Sequence, residues 1–349
     1  MPYSELDSKA FWKLCRASPD FLLSDLYAPK FPIAPGMRVG AAGSCFAQNI
    51  ARYLKQSDVE FLDVEPAPRG MDDRVARQFG YGLYSARYGN IYTARQLRQL
   101  VEDAAKARVH DCAVWDRDGR YYDALRPGVE PQGLASPEEF LTHRLDHLER
   151  VADLFRRIDI FVFTLGLTET WKDSETGVVF PSAPGVIAGE FDPDRFEFVN
   201  MSFAEVMDDM TFVLDVLRRI RPGMKFLLTV SPVPLTATAT GQHVLAATTY
   251  SKSVLRAVAG ELARTDDSID YFPSYEIIAG LPFGTANYGD NLRSVSDQVV
   301  AQVMQVFFAA HGLPVPDLAG ASARGKRARG KGARDDICED VLLEAFART

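Results

Sequence analysis

Three short, continuous apolar runs, separated by stretches with helical periodicity, most constrain the fold of this chain. The runs cover 37–42, 159–165 and 225–230 and are bounded by polar or turn residues, as in strands buried on both faces of a parallel sheet. Between them, large apolar residues recur at helical spacing over 137–157 and 203–219. Strands that alternate with long amphipathic helices predict an α/β fold with a doubly wound parallel sheet.

Each of the three predicted strands ends in an unusual polar cluster. Gly43, Ser44 and Cys45 follow the first strand, Gly-Leu-Thr-Glu-Thr-Trp at 166–171 follows the second, and Ser-Pro-Val-Pro at 231–234 follows the third. Sites in such folds lie at the carboxyl ends of the strands, so the clusters converge on one crevice if the strands are neighbours. The sequence therefore predicts a functional site built from these clusters.

The first cluster carries two candidate nucleophiles at the start of a predicted helix. Apolar residues then recur on one helical face, at Phe46, Ile50, Tyr53 and Leu54. This places Ser44 near the N-cap and Cys45 in the first turn, where unpaired N–H groups and the helix dipole favour an oxyanion and lower the pKa of a thiol. A Gly-Ser helix cap with a small buried cysteine is the alternative interpretation.

The charge and the cysteine pattern exclude several classes of function. The chain carries a net charge of -8, so its body lacks the positive field that phosphate binding needs, and we expect no nucleic-acid partner. The four cysteines show no C-x-x-C spacing, which indicates neither a disulfide framework nor a zinc site and favours a cytoplasmic protein. The N-terminus does not resemble a leader and no apolar run reaches about 18 residues, so no membrane span is expected.

We also expect no metal or other cofactor. The Gly-x-Gly-x-x-Gly and P-loop patterns are absent from the sequence. His143 and His147 have the i, i+4 spacing of some metal ligands, but they accompany Arg144 on what the pattern predicts to be a solvated helix face. Lys252 and Arg256 lie one helical turn apart and indicate an anion site or, more simply, salt bridges.

The chain changes character after residue 316. Residues 1–316 are predicted to form one α/β domain, in which 65–132 has few clean periods and forms an insertion of loops and short helices or a lid. Residues 317–334 are typical of a flexible basic linker. Residues 335–349 are predicted to form an amphipathic helix that docks on its own domain or on a protein partner.

Five ordered sequence blocks resemble the GSCFA family of bacterial proteins. The blocks span about 35–310 and are Gly-Ser-Cys-Phe-Ala at 43–47, Thr-Leu-Gly-Leu-Thr-Glu-Thr-Trp at 164–171, Ser-Pro-Val-Pro-Leu at 231–235, Tyr-Ser-Lys-Ser-Val-Leu-Arg at 250–256 and Tyr-Phe-Pro-Ser-Tyr-Glu at 271–276. The family is similar to the SGNH or GDSL-type esterases and acyltransferases. That similarity implies a flavodoxin-like sheet and acyl transfer on an acylated carbohydrate or similar polar metabolite, with an acyl-CoA as a candidate donor.

The SGNH enzymes carry Ser, Gly, Asn and Asp-x-x-His in four separate blocks of their own, and the similarity to them implies roles for residues of this chain, block by block. The pattern Gly-x-nucleophile selects Cys45 as the nucleophile, whereas the Gly43-Ser44 pair selects Ser44. Gly82 or Asn90 takes the place of the second-block oxyanion donor. In the third block, Thr168 stands where an SGNH enzyme has asparagine, so that side-chain amide donor is missing.

The last block departs from the family pattern, because Asp290-Asn-Leu-Arg293 occupies the place of Asp-x-x-His. Asp290 would orient a partner, but an arginine side chain cannot act as the base, since its pKa stays above about 12. Arg293 instead suits a phosphate or carboxylate of the substrate. The candidate bases are His243 and Glu169, the latter beside Trp171 in the substrate-binding cluster. A solvated loop histidine, and a helix-capping or Arg-paired glutamate, are the alternatives.

Two other functions compete with acyl transfer. The arginine at 293 favours a catalytically inactive protein that binds a ligand or scaffolds a partner through its C-terminal tail. A thiol-dependent redox or acyl-carrier role at Cys45 is the third hypothesis. The inactive protein predicts ligand binding without turnover, whereas the third hypothesis needs only the thiol of Cys45.

Overall fold

The computed structural model describes residues 1–15 and 22–316, together with the single positions 343 and 346. The strands of this part of the chain are β1 (Arg38–Gly43), β2 (Glu60–Phe61), β3 (Val114–Arg117), β4 (Arg120–Asp123), β5 (Ile160–Leu165), β6 (Glu169–Asp173), β7 (Val179–Phe180), β8 (Phe196–Asn200), β9 (Lys225–Val230) and β10 (Ile269–Tyr271). Its α-helices are α1 (Ala47–Lys55), α2 (Asp73–Gln78), α3 (Ala94–Lys106), α4 (Pro137–Arg157), α5 (Phe203–Ile220), α6 (Val244–Thr265), α7 (Ser274–Ala279) and α8 (Asp297–Ala310). The predicted linker at 317–334, and the predicted helix at 335–349 apart from those two single positions, lie outside the described residues.

The centre of the fold is a five-stranded parallel sheet in the order β2-β1-β5-β9-β10. Counted along the sheet's own strands, this is the 2-1-3-4-5 order of a flavodoxin-like fold, so the predicted doubly wound α/β architecture is confirmed. The three strands expected from the apolar runs are β1, β5 and β9, which are adjacent. Their carboxyl ends therefore lie side by side, and the strand order reverses between β1 and β5, where such folds bind ligands.

Two helical layers cover the sheet. Alternate residues of β5 point to opposite faces, so Phe161 and Phe163 pack with α3, α4, α5 and α6, whereas Ile160 and Val162 pack with α1, α7 and α8. Both faces of the strand are thus buried. This explains why β5 appears in the sequence as an unbroken apolar run rather than as an alternating pattern.

The clearest helical periods gave accurate boundaries. α4 covers the predicted 137–157, with Ser136 accepting a hydrogen bond from the Glu139 amide at its N-terminus. α5 ends one residue beyond the predicted 219 and begins with a capping box between Ser202 and Glu205. Side-chain caps of this kind satisfy amides that the helix itself leaves unpaired.

The region 65–132 contains α2, α3 and the β3–β4 hairpin. α3 is a 13-residue helix with a capping box at Thr93, and its Leu97, Leu100 and Val101 belong to the main core. This part of the region is therefore built into the helical layer on the sheet. A second, antiparallel sheet in the order β7-β6-β8 follows the end of β5.

A buried ionic network joins this region to α4. His147 Nδ1 lies 2.8 Å from Glu65 Oε2, Arg126 Nε donates to Asp123 at 2.7 Å, and Arg144 lies 3.5 Å from the same carboxylate. His147 and Arg144 are both buried. The expectation of a solvated face there is wrong, because the 65–132 region supplies acidic partners that cover these side chains.

Burial sets the protonation of the pair in this network. It lowers the pKa of His147 to about 4, helped by the positive charge of Arg126, so the ring is neutral at pH 7 and donates Nδ1–H to Glu65. Burial raises the pKa of Glu65, but His147, Arg126 and the Arg87 amide outweigh that effect and bring it to about 2. At pH 7 the pair therefore consists of a neutral His147 and an ionised Glu65.

We predict that acidification from pH 7 to pH 5 destabilises the protein by about 2 kcal/mol through His147. The folded pKa lies below the ordinary 6.5, so the unfolded state binds a proton that the native state excludes, and stability is lost as the pH falls from 6.5 towards 4. Urea unfolding at several pH values should show a shallower loss in His147→Gln. His243→Gln, which changes an exposed histidine, is the control. Equal dependence of the stability on pH in the wild type and in His147→Gln would contradict the prediction.

Candidate active site

The chain turns sharply where β1 ends. Gly43 has φ +140°, and a Cβ there would lie 2.5 Å from the Thr164 carbonyl oxygen on the neighbouring β5. The Ser44 amide donates to that same oxygen at 3.2 Å. Only glycine allows β1 and β5 to approach this closely, so the strand pair fixes the position of the residues that follow.

Ser44, Cys45 and Phe46 form a turn before the helix. α1 begins at Ala47, and the Ala47 and Gln48 amides donate to the Ser44 and Cys45 carbonyls at 2.8 and 3.1 Å. Phe46 is the N-cap, so Ser44 lies two residues before it and Cys45 one residue before it. The expected place of Cys45 in the first helical turn is therefore wrong, because a turn with i to i+3 bonds precedes the α-helix. Within the described residues, the Phe46 amide donates no hydrogen bond.

Both candidate nucleophiles are buried at this turn. Ser44 is 2% exposed and Cys45 is 6% exposed. The Ser44 side chain faces Gly166 at the end of β5, where a Cβ would lie 2.8 Å from Ser44 Cβ. Among the described residues Ser44 Oγ has no hydrogen-bond partner, so no base contacts it.

Asn90 lies beside the turn and is held in a defined orientation. The next residue, Ile91, donates its amide to the Gly43 carbonyl at 2.9 Å, which places Asn90 at the end of β1. Asn90 Oδ1 accepts from the Tyr84 hydroxyl and, at 3.2 Å, from Gln48 Nε2. Because these bonds use the oxygen, Nδ2 is the other end of the amide and can only donate.

Gly82, the alternative to Asn90, lies elsewhere. It is exposed, and a Cβ on it would lie 3.7 Å from Lys55 Nζ at the C-terminal end of α1. A nine-residue helix is about 12 Å long, so Gly82 is far from the turn that precedes the helix. The structure brings Asn90 to the turn and does not bring Gly82 there.

The segment after β5 is braced by its neighbours. The Gly166 and Leu167 amides both donate to the Tyr92 carbonyl, at 3.0 and 2.8 Å. Thr168 is fully buried, and its Oγ1 donates to Asn200 Oδ1 at 2.7 Å. Thr168 therefore stabilises the junction with the small sheet, and its hydroxyl is directed to that structural partner.

Glu169 and Trp171 share one face of β6, since they are two residues apart on a strand. Glu169 is half-buried and accepts from the Thr238 hydroxyl at 2.8 Å, in the loop that follows β9. Burial raises the pKa of Glu169, against the opposing effect of that hydrogen bond. Trp171 packs edge-on against Phe191 and Phe198, with ring centroids 5.1 and 5.6 Å apart.

His243, the other candidate base, caps α6. It is exposed, and its Nδ1 accepts from the Leu245 amide at 3.1 Å. With Nδ1 accepting, the neutral ring carries its proton on Nε2. His243 therefore cannot take a proton at Nε2 unless this cap opens.

Asp290 and Arg293 occupy different environments. Asp290 is exposed, whereas Arg293 is 8% exposed and donates from Nε to the Pro234 carbonyl at 3.3 Å. The nearby Tyr288 hydroxyl donates to Pro232 at 3.0 Å. These bonds attach the last block to the loop after β9, close to the residues that hold Glu169.

The site contains three side chains whose roles the sequence did not indicate. Tyr84 and Gln48 orient Asn90, and Tyr84 also lies 3.1 Å from the Ser44 carbonyl. Lys252 is buried, and its Nζ donates to the Gly166 carbonyl at 2.6 Å. Arg256, one turn later, forms the expected salt bridge with Glu276.

No helix between residues 22 and 316, or before residue 16, combines the length and apolarity that a membrane crossing requires. In the same parts of the chain, no group of three His, Cys, Asp or Glu side chains is placed to hold a metal ion.

The chain is similar to one protein family and, weakly, to solved structures. The model of the GSCFA family matches residues 38–307. No curated protein sequence matches the chain. A crystal structure of an acetyl esterase mutant with an acetate ion is similar at a TM-score of 0.31 and 10% sequence identity, over 83% of this chain and 99% of that one.

Proposed function

This chain belongs to the GSCFA family, and we propose that it is an acyl-transfer enzyme, an esterase or an acyltransferase, with its nucleophile between β1 and α1. One observation carries the proposal. At the switch point of the sheet, a turn bearing a thiol and a hydroxyl lies beside the Asn90 amide, whose oxygen is held by Tyr84 and Gln48. A nucleophile beside an oriented donor is what acyl transfer requires.

Cys45 is the nucleophile in this proposal. A serine hydroxyl needs a base within hydrogen-bond distance, and none of the described residues contacts Ser44 Oγ. A thiol ionises near neutral pH and depends less on such a base. Ser44 instead packs against Gly166 and helps to place the turn.

The chemistry proceeds through a thioester. The Cys45 thiolate attacks the acyl carbonyl, a C–S bond forms, and the carbonyl electrons move to oxygen. The Phe46 amide and Asn90 Nδ2 are the proposed donors to that oxyanion. Its collapse breaks the bond to the leaving oxygen of an ester, or to the leaving sulfur of an acyl-CoA, and water or an acceptor hydroxyl then releases the acyl group from Cys45.

Glu169 is the proposed proton carrier. A carboxyl with a raised pKa can protonate the leaving oxygen and then, as a carboxylate, take the proton of the incoming water or hydroxyl. His243 is the less favoured candidate, because its Nδ1 is engaged as a helix cap. Arg293 is assigned to an anionic group of the substrate, and a polar acylated metabolite, such as an acylated carbohydrate, or an acyl-CoA, is the proposed substrate class.

The proposal is tested by measuring hydrolysis of p-nitrophenyl acetate and acetyl transfer from acetyl-CoA to a panel of sugars. Turnover that is lost in a Cys45→Ala variant supports it. If the folded wild-type protein turns over none of these donors, a test for the covalent intermediate decides between enzyme and binding protein.

We predict that Asn90→Ala lowers kcat by about 10²- to 10³-fold. The donor is assigned to the oxyanion, which exists only after attack, so KM should change little. Steady-state kinetics with p-nitrophenyl acetate measures both constants. A variant that raises KM and leaves kcat unchanged would assign Asn90 to substrate binding and remove it from the oxyanion site.

A catalytically inactive ligand-binding or scaffold protein is the second candidate. It is favoured by the arginine in the histidine place, whose Nε is bonded to Pro234, and by the exposure of Asp290. This candidate predicts that a small acyl compound binds in the crevice without turnover. It also predicts a partner that is lost when residues 319–349 are removed.

A further inference from the structure

A lysine is buried at the carboxyl end of β5, next to the proposed nucleophile turn. Lys252 lies on α6, is 2% exposed, and donates from Nζ to the Gly166 carbonyl at 2.6 Å. We propose that Lys252 is a positioning residue whose ammonium charge stabilises the Cys45 thiolate. This inference rests on the proposed function, because it assigns Cys45 as the nucleophile.

The position of Lys252 is fixed from two sides. Oγ of the preceding residue, Ser251, accepts a hydrogen bond from the Thr168 amide at 3.0 Å. Consecutive residues of α6 therefore bind both ends of the Gly166–Thr168 segment. Gly166 in turn packs on Ser44, since a Cβ there would lie 2.8 Å from Ser44 Cβ. Gly166 therefore contacts both the ammonium group, through its carbonyl, and the Ser44 side chain of the turn that carries Cys45.

The burial of this side chain points to a use for its charge. Moving an ammonium group out of water is costly, and a methionine of similar length would fill the same space without that cost. Positive charge beside a thiol favours its ionised form, and the interaction is strong where water is excluded. Loss of the proton to solvent then leaves a thiolate ready for attack.

Other ionisable groups also lie on the elements around the turn. Glu169 on β6 and the Arg293 guanidinium both bind the loop after β9, at Thr238 and Pro234 respectively. Tyr84 and Tyr92 precede α3, and they contact the Ser44 carbonyl and the Gly166 amide respectively. Glu169 opposes a thiolate when ionised, and Arg293 favours one. Lys252 is distinguished from both by its bond to Gly166, the residue that packs on Ser44.

The test is the pH dependence of Cys45 alkylation by iodoacetamide, followed by peptide mass spectrometry. We expect Cys45 to titrate below 8.5, the ordinary pKa of a cysteine, in the wild type and at least one unit higher in Lys252→Met. At a fixed pH below both values, this is at least a tenfold smaller thiolate fraction in the variant, and its alkylation is slower in consequence. Arg256→Met removes the same charge one turn along α6 and should not shift the titration.

Several results would overturn the inference. Titration of the wild-type Cys45 at 8.5 or above would overturn it. This measurement needs no variant, so it also decides the case in which Lys252→Met does not fold. Equal titrations of wild type and a folded Lys252→Met would also overturn it, as would an equal shift in Arg256→Met. Lys252→Arg keeps the charge and should restore at least part of the low titration.

The same experiment separates this inference from the proposed function. Alkylation requires only a thiolate, whereas acyl transfer also requires a donor site and proton transfer. A shifted titration in a protein that forms no acyl adduct would support Lys252 and contradict acyl transfer. An adduct on Cys45 without any shift in Lys252→Met would support acyl transfer and contradict the role of Lys252.

Discussion

Replacing Cys45 by alanine is expected to lower kcat/KM for acyl transfer by about 10⁴-fold or more, because removal of a nucleophile eliminates the covalent route. Steady-state hydrolysis of p-nitrophenyl acetate measures the loss. Cys112→Ala is the matched control. Cys112 is half-buried beside β3, its Sγ lies 3.4 Å from Thr176 Oγ1, and its removal should leave activity unchanged.

The matching Ser44→Ala variant separates the two nucleophiles. Ser44 has a packing role at Gly166, so we expect its loss to lower activity by about tenfold or less, far less than loss of Cys45. The opposite ranking, with Ser44→Ala inactive and Cys45→Ala active, would make the hydroxyl the nucleophile. It would also require a base to reach Ser44 Oγ in the substrate complex.

Replacing Gly43 by alanine is expected to destabilise the protein by about 3 kcal/mol or more. Two costs add at this position. The backbone φ of +140° is one that L-residues rarely adopt, and the new Cβ would lie 2.5 Å from the Thr164 carbonyl oxygen. The β1–β5 pairing must therefore shift, and with it the turn that carries Ser44 and Cys45. Urea or thermal unfolding monitored by circular dichroism measures the effect.

Gly36→Ala is the control for the backbone cost alone. Gly36 has φ +80°, but nothing lies within 4 Å of a Cβ built on it, so its substitution should cost only about 1 kcal/mol. If the two variants lose equal stability, the close approach of β1 to β5 does not constrain the turn, and its geometry cannot be as fixed as described.

The sequence predicted the fold because the central strands have an unambiguous pattern. β1, β5 and β9 are six-residue strands that are mostly apolar and buried on both faces, and α4 and α5 have clean helical periods. The edge strands β2 and β10 have two and three residues, too few for any period to emerge. α3 was not predicted as a 13-residue helix, although its Leu97, Leu100, Val101 and Ala104 recur at helical spacing and form a continuous buried stripe, so its own pattern was sufficient.

The sequence predicted that the three strand ends lie together, and the details of the candidate site depend on contacts far apart in sequence. The choice between Gly82 and Asn90, for example, depends on their neighbours in space, Lys55 and Gln48. Lys252 contacts Gly166 from 86 positions away, which no local pattern reveals. The solvated face expected around His147 failed for the same reason, since its acidic partner Glu65 lies 82 positions earlier.

The most direct test of the central claim is mass spectrometry of the intact protein and its peptides after incubation with p-nitrophenyl acetate or acetyl-CoA. We predict a single acetyl adduct on Cys45, formed also in Ser44→Ala and absent in Cys45→Ala. The adduct should be labile to hydroxylamine, as a thioester is. A folded protein that forms no adduct at either residue would contradict acyl transfer and favour the ligand-binding function.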